Sequence, residues 1–302
     1  MRRAGDGAAL HSYWWRPDRE PRAVVTIVHG MAEHAGRYAR FAERLVEAGF
    51  AVYAHDHRGH GGTAPDAAAL GHFADRDGWT RVIADLRELL VYARGAHPAA
   101  PAVLFGHSMG SILAQHVMLF HPDDADLVIL SGSGLVTAPQ ATAGRLLARF
   151  LCWRQGPRAK SALLARLSFG RFNRGLEGRT PFDWLSRDPQ EVDRYLADPR
   201  CGFQMTNQAW VDLLSGLVAI GRGDWRQVRE GLPVCFIAGE DDPVGNRGRG
   251  VRALADRIRA GGRARVTVHL FPGGRHEILN ETNRDEVIAD LVRWLDRHLS
   301  QP

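Results

Sequence analysis

Short apolar runs alternate with longer amphipathic stretches along most of this chain. VVTIV (24–28), FAVYA (50–54), AVLFG (102–106), LVILS (127–131), VCFIA (234–238) and VTVHL (266–270) are too short and too rich in β-branched residues for helices, so each predicts a strand. Their residues are apolar without alternation, so both faces must be covered, as in a parallel sheet. Helical periodicity falls between them, near 37–48, 79–94, 109–120, 247–260 and 285–299. Strand and helix in this alternation predict an α/β fold with helices on both faces of a mostly parallel sheet. AALHSYWW, near the start, adds an antiparallel strand at the sheet edge. The alternation stops between Leu135 and Arg200, where GRLLARFLCW and AKSALLARLSF follow one another without a strand. The chain therefore reads as a core of residues 1–134 and 203–302 with a helical insertion over 135–202.

Composition narrows the class. With 302 residues, 45% of them hydrophobic, the chain can bury a large core. MRRAGDGAALHSYWW lacks the apolar run of a secretory signal and no later window approaches a membrane span, which predicts a cytoplasmic protein. Cys152, Cys201 and Cys235 are an odd number without metal-ligand spacing, so neither a disulfide framework nor a zinc site is expected. The net charge of +5 is concentrated: between Gly134 and Arg200 twelve Arg or Lys face six Asp or Glu. That segment carries the whole excess. No arginine-rich tail, aromatic platform or recognition helix accompanies it, so a nucleic-acid partner is not expected.

In a parallel sheet the functional groups gather at the carboxyl ends of the strands. GHSMG follows AVLFG and opens a helical pattern, the strand-turn-helix setting of a nucleophile elbow. Ser108 is its candidate nucleophile, with Gly106 and Gly110 leaving room for a sharp turn and a helix N-terminus favouring developing negative charge. A serine hydroxyl needs a histidine base and an orienting carboxylate, in the chain order Ser, acid, His. GEDDPVG after VCFIA offers Glu240, Asp241 or Asp242, and PGGRHEILNE after VTVHLF offers His276. VHGMAEHAGRY after VVTIV completes the set, because a His-Gly loop there can present a backbone N–H to an oxyanion, with a second from the residue after the nucleophile. That nominates Met31 and Met109. Glu33 and Arg37, four apart, read as a simple pair across one helical turn, worth about 0.3 kcal/mol.

Taken in order, HGMAEHAGRY, DHRGHGGT, GHFADRDGW, GHSMGS, GEDDPVG and GGRHEILNE give the chain a resemblance to α/β-hydrolases of the monoacylglycerol lipase and lysophospholipase group, the serine aminopeptidase S33 family. The likeness covers nearly the whole length. It implies a serine hydrolase that cleaves carboxylic esters of monoacylglycerol-like or lysophospholipid-like lipids through an acyl-enzyme, with no cofactor and no metal. Ser108 is then the nucleophile, His276 the base and Asp242 the acid, since Asp242 directly precedes the Pro-Val pair. The family also implies a helical cap after LVILS, where the alternation breaks.

Other readings compete. HDHRGH sets His55, His57 and His60 close together, but Gly59 stands where the H-x-H-x-D-H metal motif needs aspartate, so a metal is not expected. A noncatalytic small-molecule binder on the same fold would not need the full Ser, Asp, His set. An aminopeptidase or amidase would need insertion acids to receive a free amine, and Asp183, Asp188 and Glu191 are the candidates. Leu146, Leu147, Phe150, Leu151, Leu163, Leu164 and Leu167 lie at helical spacing among arginines and near Trp153. They either pack the insertion onto the core or meet an acyl chain or an anionic membrane surface, making the protein peripheral; packing is the favoured reading.

Overall fold

The alternation becomes a seven-stranded sheet in a computed structural model that describes residues 1–176 and 178–300. A small antiparallel ribbon, β1 (Arg2–Arg3) and β2 (Ala9–Leu10), opens the chain. The sheet strands are β3 (Ser12–Trp15), β4 (Val24–Val28), β5 (Ala51–His55), β6 (Ala102–His107), β7 (Leu127–Ser131), β8 (Pro233–Gly239) and β9 (Arg265–Phe271). Their spatial order is β3-β5-β4-β6-β7-β8-β9. The edge strand β3 runs antiparallel to β5, and every other pairing is parallel.

Helices α1 (Ala39–Glu47), α2 (Gly78–Ala96) and α3 (Met109–Phe120) connect the first strands, α8 (Arg249–Ala260) joins β8 to β9, and α9 (Arg284–Leu299) follows β9. Strand residues alternate between two apolar layers. Val103 and Phe105 pack with Phe41, Leu45, Leu291 and Trp294 of α1 and α9, whereas Leu104 between them packs with Leu86 and Leu113 of α2 and α3. β5 starts one residue later than its apolar run, because the Phe50 amide still bonds back to the Leu45 carbonyl at the end of α1.

From β4 the chain moves outward to β5, then crosses back so that β6 lies on the other side of β4. The ends of β4 and β6 are therefore neighbours, with Val28 paired to Gly106, while their loops leave in different directions. This reversal opens a crevice at the strands' carboxyl ends.

Between β7 and β8 lie α4 (Ala138–Gln155), α5 (Ala162–Phe169), α6 (Pro189–Ala197) and α7 (Asn207–Arg222). The sequence reading gave no helix at α7. That helix starts on a Thr206 cap whose Oγ accepts the Ala209 N–H, and it runs along α4 while also meeting α2 and α3. Among the described residues no helix is long and apolar enough to cross a membrane.

Candidate active site

Ser108 stands between the end of β6 and the start of α3 with φ 52° and ψ −117°, outside the regions an L-residue favours. Such a conformation costs of order 1–3 kcal/mol and persists only where the surroundings impose it. Here the Ser108 N–H donates to the Ser131 carbonyl at 2.9 Å, and the Ser108 carbonyl accepts from the N–H and hydroxyl of Ser111 at 2.9 and 2.6 Å. A Cβ on Gly106 would lie 2.3 Å from the Gly110 oxygen, the crowding the motif predicts. A Cβ on Gly110 would instead meet the Val28 oxygen at 2.0 Å, so this glycine seats α3 on the end of β4.

The loops after β8 and β9 are pressed together: a Cβ on Gly239 would fall 1.9 Å from the Gly274 oxygen. Of the three acids left open by the sequence, Glu240 and Asp241 are exposed and Asp242 is fully buried. The Asp242 carboxylate accepts the Val244 N–H at 2.8 Å and lies 3.0 and 3.1 Å from His276 Nδ1 through its two oxygens. This fixes the proton on Nδ1 and leaves Nε2 as the acceptor. Burial pulls the His276 pKa down, but the charge and hydrogen bond of Asp242, helped by Glu277 and Glu33, outweigh it and leave the imidazole above its ordinary value.

His276 is held between two rings, Trp184 at 5.1 Å and His107 at 4.7 Å. Burial, and then the neighbouring His276, hold His107 far below the ordinary histidine pKa, so it adds no competing charge. Both imidazoles close over Gly132, where a Cβ would lie 2.9 and 3.0 Å from them. Ser108, His276, Gly30 and Met31 border one cavity. No hydrogen bond joins Ser108 Oγ to His276 among the described residues, a spacing common before substrate draws such pairs together.

The loop after β4 is pinned from below. His29 Nε2 accepts the His57 backbone N–H at 2.9 Å, so its Nδ1 carries the proton and donates to the Gly30 carbonyl at 2.8 Å. Across a trans peptide the following N–H points opposite to that carbonyl, which turns the Met31 amide away from the histidines. Gly30 passes so near Ser108 that a Cβ would lie 3.2 Å from the serine Cβ. Met109 supplies the first amide of α3. His57 lies against His29 at 4.0 Å, His55 against His57 at 5.5 Å, and His60 stacks on Phe73 at 5.8 Å, so the HDHRGH histidines form a packed layer beneath this loop.

Glu33 and Arg37 need correction. They do pair across four residues, at 2.7 Å, but Glu33 is buried and Arg37 largely so, and Arg37 also grips both oxygens of Glu277 at 2.6 and 2.7 Å. The second oxygen of Glu33 accepts the Gly30 N–H at 2.6 Å and the Tyr38 hydroxyl at 2.8 Å. Burial raises the Glu33 pKa against the pull of Arg37; at Glu277 burial pushes the same way, but the doubly bound Arg37 wins and holds the carboxyl at about 2. Breaking such a buried pair typically costs about 3–5 kcal/mol, far above a surface pair.

The cavity encloses about 400 Å³ beneath the insertion, walled by Phe169, Phe182, Trp184, Phe203, Met205 and Trp210. None of the three insertion acids is free to receive an amine. Asp183 accepts the N–H and hydroxyl of Thr180, Asp188 caps α6 and pairs with Arg284, and Glu191 pairs with Arg40 and Arg194. Among the described residues the cavity's carboxylates are Glu33 and Glu277, both taken by Arg37. The apolar residues of α4 and α5 divide between the two readings: Leu151 and Leu164 are buried, whereas Leu146, Phe150, Leu163 and Leu167 are exposed, and so is Trp153, by 79%.

Comparison with known proteins identifies the family. The family model for serine aminopeptidase S33 matches residues 19–283. A monoacylglycerol lipase of Mycolicibacterium smegmatis is 32% identical over 291 residues, 94% of this chain and 92% of that protein. The human monoglyceride lipase is 29% identical over 298 residues, 97% and 88% of the two chains. Among solved structures, a thermostable carboxyl esterase from Bacillus coagulans in complex with glycerol superposes with a TM-score of 0.89 at 29% identity, covering 99% of this chain and 97% of its own.

Proposed function

The chain belongs to the serine aminopeptidase S33 family, and from that premise we propose that it hydrolyses carboxylic esters of monoacyl lipids through an acyl-enzyme on Ser108. As Ser108 Oγ bonds the ester carbonyl carbon, its proton passes to His276 Nε2, and Asp242 stabilises the imidazolium. The carbonyl oxygen, now negative, is received by the Met31 and Met109 amides; loss of one such donor typically costs about 2.7–4 kcal/mol. Collapse of this intermediate breaks the bond to the alcohol, which leaves with the proton from His276. Water then attacks the acyl-enzyme, gives its proton to the same nitrogen, and the collapsing intermediate returns that proton to Ser108 as the acid departs.

The observation that carries an ester over an aminoacyl substrate is the cavity itself. Its wall is largely aromatic, and its two carboxylates are both engaged by one arginine. A free α-amine would have to displace Arg37 from those carboxylates or bear the desolvation cost of an unpaired buried cation. An acyl chain would meet mostly apolar surface there. The test is a chain-length series of p-nitrophenyl esters and monoacylglycerols beside a panel of aminoacyl amides. Turnover of the esters with little of the amides is expected; a preference for the amides overturns the reading.

The exposed stripe has a second role in this proposal. Leu146, Phe150 and Trp153 recur along one side of α4, and Leu163 and Leu167 along α5. Arg149, Arg154 and Lys160 around them have no ion pair among the described residues, while neighbouring Arg158 pairs with Asp75. Apolar side chains rimmed by unpaired cations fit an anionic lipid surface, from which a monoacyl lipid would reach the cavity.

A further inference from the structure

We propose that Tyr195 is a positioning residue through which the inserted helices set the oxyanion loop. The inference rests on the reading that the Met31 amide receives the oxyanion. Within that loop the core holds Gly30 at both its N–H, through Glu33, and its carbonyl, through His29. The Ala32 carbonyl is held from the insertion side instead. The Tyr195 hydroxyl, on α6, donates to it at 2.9 Å, and the Gly202 N–H, just past α6, donates to it at 2.9 Å.

Ala32 needs such restraint because its φ is 55°, a left-handed conformation that an alanine leaves unless its surroundings over-determine it. Tyr195 is itself fixed: its side chain is buried, and the Arg37 guanidinium lies 4.9 Å from its ring centre. Removing the hydroxyl leaves Gly202 alone on the carbonyl. Ala32 then relaxes toward the ordinary basin and carries the adjoining Met31 amide with it. The aromatic ring also borders the cavity, so a packing role and a positioning role make different kinetic predictions.

The test is Tyr195→Phe in the full chain, assayed with a p-nitrophenyl ester beside Ser108→Ala. Complete loss of an oxyanion donor lowers kcat by about 10²–10³, so displacing one is expected to lower kcat roughly tenfold to a hundredfold. KM should stay within twofold, the loss being confined to the transition state. The acid limb of the pH profile and the melting temperature should not move. A kcat within twofold of the parent overturns the proposal. So does a raised KM at unchanged kcat, which marks a ring that only lines the cavity, or a displaced acid limb, which marks an effect relayed through Arg37 and Glu277 to His276. Ser108→Ala separates this failure from that of the underlying reading: if it keeps full turnover the acyl-enzyme assignment is wrong, whereas an inactive Ser108→Ala beside an unaffected Tyr195→Phe removes only the positioning role.

Discussion

Burial makes an imidazole a weaker base, and His29, His55, His57, His60 and His107 all obey that rule. His276 is equally buried and goes the other way, because Asp242, Glu277 and Glu33 surround it with negative charge. A base with a raised pKa must shed its proton at a higher pH before it can accept one from serine. The acid limb of kcat/KM is therefore expected above 6.5, the ordinary histidine value. Asp242→Asn should move that limb downward and lower kcat by about 10³–10⁴, and a pH series on both proteins checks the pair of effects. An unmoved limb would mean that Asp242 does not set the basicity of His276. The strand ends made His276 and one of Glu240, Asp241 and Asp242 legible, and the family resemblance singled out Asp242. The Arg37–Glu277 pair was not, since its members lie 240 positions apart and a local i,i+4 partner already explained Arg37.

Elements that touch one layer announce themselves through an amphipathic stripe; elements wedged between layers do not. α7 is of the second kind, with residues 207–221 all buried or half-buried: Ala209, Leu213, Gly216 and Ile220 line one side, and Trp210 and Val218 lie off it. Its position between α4 on one side and α2 and α3 on the other leaves it no exposed face before Arg222. The Thr206 cap was the remaining signal. α7 packs tightly on α2 at Gly216, where an added Cβ would lie 2.2 Å from Cε2 of Trp79. Gly216→Ala gains helix propensity of up to about 1 kcal/mol, yet it must push the indole or the whole helix outward, which typically costs about 1–3 kcal/mol. The expected result is a lower urea midpoint at an unchanged slope. A raised midpoint would show that Trp79 moves aside freely and that the α2–α7 contact is loose. The strands pose no such problem, because a short β-branched run buried on both faces has few alternatives.

For the whole molecule, the buried histidines set how it meets acid. His55 and His60 have folded pKa values of about 3 and about 4, lowered by burial. Between those values and 6.5 the unfolded chain binds protons that the folded chain refuses, so stability is fully present above about pH 6.5 and falls as pH drops through this window. The slope is about 1.4 kcal/mol per pH unit for each such histidine. His276, with its raised pKa, and Asp212, raised by burial to about 6, have the opposite sign, but the lowered histidines outnumber them. Melting temperatures should therefore decline steadily from pH 6.5 to 4, and a flat profile would mean that the imidazole layer accepts charge without unfolding. The same unevenness of charge governs where the protein works. Nearly neutral outside residues 134–200, the chain concentrates its cations around the exposed stripe of α4 and α5. Each basic side chain near an anionic bilayer contributes about 1 kcal/mol, screened over about 10 Å at 0.1 M salt. Apolar side chains dipping below the headgroups add attraction that salt does not screen. Binding to phosphatidylglycerol vesicles is thus expected at low salt and should weaken, without vanishing, as salt rises; vesicles of phosphatidylcholine alone should bind much less. Phe150→Glu combined with Trp153→Glu should abolish sedimentation with the vesicles yet leave hydrolysis of a soluble short-chain ester unchanged, because neither residue borders the cavity. If the parent protein stays in the supernatant with anionic vesicles at low salt, the stripe does not face a membrane and the lipid must reach Ser108 from solution.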